Sequence, residues 1–180
     1  MKRYQAGDKF PNLIFQTAYQ SDIQTRDILK GKTVFWVLRY IGCPICRLDV
    51  SMIAERYKEF EDKNAQVFVV MQSDREHIRE SLGEEQLPFE IICDVDMKFY
   101  DALNIAPAST VEELLGSRKD ELEEKIAQAE NSGFYHGDYE GEEQQLPAMF
   151  IVDEEGQISY AHYAKDLMDM PEIDDVLKML

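Results

Sequence analysis

Thr33-Val34-Phe35-Trp36-Val37-Leu38-Arg39, continuing through Tyr40-Ile41-Gly42-Cys43-Pro44-Ile45-Cys46, is the stretch whose reading decides the fold. Residues 33–39 are β-branched and aromatic with too few polar positions for a half-exposed strand, so they predict a strand buried on both faces. The residues after Cys43 have helical spacing. Leu48, Met52, Ile53, Tyr57 and Phe60 make an apolar stripe that carries a helix to about Asp62. Pro44 suits its first position, where the missing N–H costs nothing. The two thiols therefore sit at a strand-to-helix junction, where unpaired backbone N–H groups and the positive helix end favour thiolate over thiol. The thiolate is the reactive species, and this spacing suits reversible dithiol–disulfide chemistry.

Outward from this junction, helices and strands alternate. Phe10 to Phe15 reads as a first strand, at an edge because of Pro11. Ala65 to Met71 is a second buried strand, and Ser73 with Glu76 gives a capping box for a helix through Leu82. Pro88 to Cys93 is a further strand, and Met97 to Leu103 a short helix. This order predicts a mostly parallel sheet covered on both sides, with right-handed crossovers. Ser109/Glu112 and Ser117/Asp120 then start two helices, the second running to about Glu130. Asn131 to Gln145 is a Gly-rich acidic loop, either functional or mobile, and mobile surface decoration is the simpler reading. Leu146 to Val152 and Gln157 to Tyr163 form an antiparallel hairpin around Gly156, and Glu172 to Leu180 is a final amphipathic helix.

The 180 residues, 44% of them hydrophobic, fit one domain with a real core and an insertion at 109–145. A net charge of −17 argues against nucleic acid and anionic membranes, and suits a solvated acidic surface. The start has no apolar signal region, and no segment approaches the roughly 20 apolar residues of a membrane span. Cytoplasmic residence is the expectation. Three cysteines are no disulfide scaffold; in a reducing compartment a close pair is catalytic or metal-binding. Zinc would need Cys93 and a histidine to complete the tetrahedron, and no second motif supplies them. No metal or cofactor is expected.

Three stretches carry a resemblance to the peroxiredoxin-like branch of the alkyl hydroperoxide reductase/thiol-specific antioxidant family, within the thioredoxin-fold superfamily. They are Val34 to Arg47, Cys93 to Tyr100, and Leu146 to Gln157 with Ile158 to Pro171. The resemblance implies an α/β thioredoxin-like fold: a central mixed sheet with helices on both faces. It implies an antioxidant peroxidase in which Cys43 attacks a peroxide, becomes a sulfenic acid and condenses with Cys46, a thioredoxin-like or other thiol then reducing the disulfide. It admits a homodimer. The departures are specific. Tyr40 stands where the family's peroxide-holding Thr stands and Trp36 where its Pro stands, and the late active-site Arg has no counterpart. Arg39 and Arg47 are the basic residues placed to supply charge to Cys43. Tyr40, Pro44, Leu146 and Pro147 are the substrate-binding candidates. Pro147 is implied to face Cys43 after a cis peptide that leaves the Leu146 backbone free for an incoming chain; the alternative is an ordinary trans proline opening an edge strand.

The same cysteine pair equally suits a thiol–disulfide oxidoreductase acting on protein disulfides, or a redox switch that changes how the insertion binds a partner. In such a motif the first cysteine is the exposed one and the second lies deeper. Cys93 reads as a small buried hydrophobe. His77, His136 and His162 have no nucleophile–base spacing to Cys43, and His162 reads as structural.

Overall fold

The computed structural model describes residues 2–180. In chain order the elements are β1 (Ile14–Phe15), β2 (Ile23–Gln24), α1 (Thr25–Ile28), β3 (Lys32–Val37), α2 (Pro44–Glu55), α3 (Tyr57–Glu61), β4 (Ala65–Met71), α4 (Arg75–Leu82), β5 (Glu90–Cys93), α5 (Lys98–Ala102), α6 (Val111–Leu115), α7 (Lys119–Asn131), β6 (Ala148–Asp153), β7 (Ile158–Tyr163) and α8 (Ile173–Met179). The main sheet runs β5-β4-β3-β6-β7. Strands β3, β4 and β5 are parallel, and β6 and β7 are antiparallel to their neighbours. This is the mixed sheet expected.

Both faces of β3 are covered, as its unbroken apolar run requires. Val34 and Trp36 point to a core shared with Cys43, Cys46, Val50 and Ile53, whereas Phe35 and Val37 point to a second core with Phe10, Phe68, Phe99 and Phe150. Phe10 stacks on Phe35 at 4.4 Å between ring centroids. Residues from both cores alternate along β4 and β6 in the same way, which fixes register: a one-residue slip would exchange the two cores.

Several sequence expectations shift. The predicted first strand shrinks to β1, which pairs with the unforeseen β2 in a separate two-stranded sheet. The helix after Cys43 is interrupted at Arg56 and resumes as α3. The cap of α4 is Asp74, whose Oδ1 accepts the His77 N–H at 2.8 Å, because the Ser73 hydroxyl is already accepting the Ile41 N–H at 2.8 Å. Ser73 thereby anchors the loop that carries the cysteine pair. Tyr100, fully buried, donates to Leu38 O at 2.6 Å and fixes the end of β3 just before that loop.

Candidate active site

Cys43 is the N-cap residue of α2 and Pro44 its first residue. The Cys43 carbonyl accepts the Arg47 N–H at 2.9 Å, so the helix begins at the thiol. The sequence pattern led us to expect an exposed Cys43, but both sulfurs are buried: Cys43 is 2% exposed and Cys46 3%. The covering element is the segment 134–145. Gly137 N donates to Gly42 O at 2.8 Å, and a Cβ on Gly42 would lie 2.5 Å from Asp138 O. Only glycine lets the two backbones meet there. Farther along, Gln72 and Glu142 exchange two hydrogen bonds, Gln72 Nε2 to Glu142 O at 2.7 Å and Glu142 N to Gln72 Oε1 at 3.1 Å. Glu140 ties the same segment to α4 through His77 Nδ1 at 2.8 Å. The loop read as surface decoration is a strap across the active site.

Arg39 is the cation against the thiol. Its Nη1 donates to Cys43 Sγ at 3.6 Å, its Nη2 donates to Glu143 O on the strap, and its guanidinium lies 5.0 Å from the Tyr40 ring centroid. Arg47, the other basic candidate, turns away to pair with Glu85 and to lie over Phe134. Burial pushes the Cys43 thiol up, yet the hydrogen bond from the Cys46 thiol, the Arg39 charge and the Cys46 backbone N–H outweigh it and hold Cys43 at about 7. Burial, followed by its bond to Cys43, pushes Cys46 well up. Cys46 therefore keeps its proton and donates it to the Cys43 thiolate. Below the pair, Asp49 and Lys125 form a half-buried ion pair at 2.8 Å. Burial raises the Asp49 carboxyl despite that lysine.

A cavity of about 300 Å³ opens beside Cys43. Arg39, Tyr40, Pro44, His136 and Tyr139 line it, together with apolar side chains of α6 and α7 such as Leu114 and Ile126. Tyr40 Oη lies 3.2 Å from His136 Nε2. Of the residues expected from the sequence, Cys43, Cys46, Tyr40 and Pro44 come together. Leu146 and Pro147 do not line this cavity. The peptide before Pro147 is trans, since no described residue has a cis bond, and β6 lies inside the sheet between β3 and β7 rather than at its edge. The Gln145 side-chain Nε2 donates to Leu146 O at 3.1 Å and to Ile105 O at 3.0 Å, so the Leu146 carbonyl is occupied from within and not free for an incoming chain. Pro147 precedes the ladder, where its missing N–H leaves no gap, and its carbonyl accepts Ala164 N at 3.1 Å. Cys93 is buried at the end of β5, where its Sγ reaches only Ile91 O at 3.7 Å and burial pushes it up to about 12. His136 and Tyr139 are the site residues that sequence reasoning missed.

The profile of the AhpC/TSA family matches residues 6–161. The chain belongs to the AhpC/TSA family. The chain is 24% identical over 105 residues to the thiol-disulfide oxidoreductase ResA of Bacillus subtilis; the match covers 58% of this chain and 58% of that protein, less than two thirds of its length. Among solved structures, the fold is similar to AhpC of Mycobacterium tuberculosis, with a TM-score of 0.68 at 16% identity over 99% of this chain and 92% of that one. It is similar also to peroxidoxin BcpB of the same organism, with a TM-score of 0.69 at 10% identity over 97% and 95% of the two chains. A yeast mitochondrial 1-Cys peroxiredoxin aligns with a TM-score of 0.67 at 17% identity, over 98% of this chain and 74% of that one. No helix among the described residues is long and apolar enough to cross a membrane.

Proposed function

We propose that this protein reduces a peroxide through Cys43, with Cys46 as the resolving thiol. The supporting observation is a thiol held near 7 while almost fully buried, reached through a cavity of about 300 Å³ that suits a small molecule. Cys43 thiolate attacks the terminal peroxide oxygen; the O–O bond breaks, Cys43 becomes a sulfenic acid and an alkoxide or hydroxide leaves. The Cys46 thiol, one helical turn on, displaces the sulfenic hydroxyl as water and forms the Cys43–Cys46 disulfide. Two thiols of an external reductant, thioredoxin-like or smaller, then restore both cysteines by exchange. Arg39 has a place in the first step: it stabilises the attacking thiolate, and its Nε–H has no protein acceptor among the described residues.

A second reading, disulfide exchange with a protein partner, is favoured by the Cys-Pro-x-Cys motif and by the similarity to ResA. It requires the strap to leave Cys43, whose thiol is only 2% exposed beneath it. Stopped-flow oxidation of the reduced protein by hydrogen peroxide tests the first reading. The expected result is rapid second-order consumption, lost in Cys43→Ser, with a trappable sulfenate in Cys46→Ser. A wild-type rate no better than that of an ordinary free thiol refutes it.

A further inference from the structure

Tyr40 and His136 are adjacent polar side chains in the lining of the thiol cavity. Tyr40 is fully buried and His136 is exposed, so their 3.2 Å contact links the inside of the cavity to solvent. The surroundings fix the imidazole. His136 Nδ1 lies 2.8 Å from Gly137 O, a carbonyl that can only accept, so Nδ1 carries a proton and Nε2 faces Tyr40. Gly137 is itself bonded to Gly42, the residue before Cys43, so the ring is positioned by the loop that positions the sulfur. Tyr139 packs against both rings, 4.5 Å from the imidazole and 5.6 Å from Tyr40 between centroids.

We propose that Tyr40 and His136 form a proton relay that protonates the leaving group when Cys43 cleaves a peroxide. The inference rests on the peroxidase reading and adds the component it lacks, a positioned donor for the leaving group's proton. With Nε2 bare, Tyr40 O–H donates to His136. Once Nε2 takes a proton from water it donates to Tyr40 Oη, and the tyrosine O–H is free to turn into the cavity. As the S–O bond forms and the O–O bond breaks, Tyr40 gives its proton to the departing alkoxide or hydroxide and takes the Nε2 proton in return. One proton enters from solvent, one alcohol or water leaves, and both residues return to their starting forms. Burial raises the Tyr40 hydroxyl above its ordinary range, opposed by the Arg39 charge, so it stays protonated between turnovers. Tyr40 touches the substrate; His136 is a positioning and proton-supplying residue acting through it.

The leaving group provides the test. Hydroxide leaving from hydrogen peroxide needs a proton, since water ionises only near pH 15.7. Acetate leaving from peracetic acid needs none, because a carboxyl group ionises near pH 4. Single-turnover oxidation of the full-length reduced protein is measured with both oxidants, in wild type, His136→Asn and Tyr40→Phe. His136 is exposed and Tyr40→Phe keeps the buried ring, so both variants fold. We expect each to slow reaction with hydrogen peroxide by about 10- to 100-fold, within the range of general acid catalysis. Reaction with peracetic acid stays within about two-fold of wild type. The double variant is no slower than either single one, as for groups acting as a unit. Equal slowing with both oxidants, or no slowing with either, overturns the relay. A wild type no faster with hydrogen peroxide than a free thiol overturns the peroxidase reading and the relay with it, and that result is read without any variant.

Discussion

Cys43 and Cys93 are buried to nearly the same extent, 2% and 5% exposed, yet one thiol is held at about 7 and the other is pushed up to about 12. Burial raises both. The difference lies in partners. Cys43 receives the Cys46 thiol, a guanidinium and a helix-terminal N–H, whereas Cys93 ends a strand facing a neighbouring carbonyl. At pH 7 roughly half of Cys43 is thiolate, against about one part in 10⁵ of Cys93. Within one small fold, exposure therefore says little about which cysteine reacts; hydrogen-bond donors directed at the sulfur decide it.

The largest expected contrast is loss of function. Cys43→Ser reduces peroxide consumption by at least about 1,000-fold, since the nucleophile is gone, while Cys93→Ala leaves it within about two-fold. Loss of activity in Cys93→Ala would break the comparison outright. Next is Arg39→Met, which keeps the buried volume and removes the charge. The Cys43 thiol should rise by about 1–3 units, read from thiolate absorbance against pH, while Cys93 does not move. A fixed Cys43 would assign its activation to Cys46 and the helix end alone.

The same contrast should appear in stability. The folded Cys43 lies below the ordinary thiol value of 9.0, so its contribution is present above about pH 9 and is lost as pH falls through about 7. The reduced wild type should gain at most roughly 2–3 kcal/mol between pH 7 and 9 relative to Cys43→Ser, measured by denaturant unfolding at each pH. Above pH 9 the raised Cys46 and Cys93 act the other way: the unfolded thiols ionise while the folded ones stay protonated, and stability falls. Gly42→Ala should act on access rather than acidity. Its Cβ meets Asp138 O, so the strap lifts and Cys43 alkylates several-fold faster with its pKa little changed. Smallest is Asp49→Asn. The Asp49 carboxylate raises the Cys43 thiol slightly, so its removal should lower that thiol by less than about one unit.

The part of the site written into adjacent residues could be read from the sequence. Gly42 to Cys46, the two-faced β3 and the stripe of α2 all rest on local spacing, and the order of strands and helices gave the sheet. What escaped depends on distant pairings. His136 and Tyr139 lie in an acidic, Gly-rich stretch that looks like a solvated loop until Gly137 meets Gly42. The Ser73/Glu76 spacing points to Ser73 as the cap of α4, and the Ile41 N–H, which occupies that serine, leaves the cap to Asp74. Strand β2 has two residues and no periodicity to detect. The capping of the Leu146 carbonyl by Gln145 is a contact with no signature in the hairpin's own pattern.

Partners, and not exposure, set the reactivity of these thiols. Haloacetamide labelling of the fully reduced protein across pH, resolved for each cysteine by mass spectrometry, tests this most directly. Cys43 should label with a midpoint near 7, and native Cys93 should not label at that pH. A Cys43 midpoint near that of an ordinary thiol, or Cys93 labelling in step with it, would contradict the control of reactivity by partners.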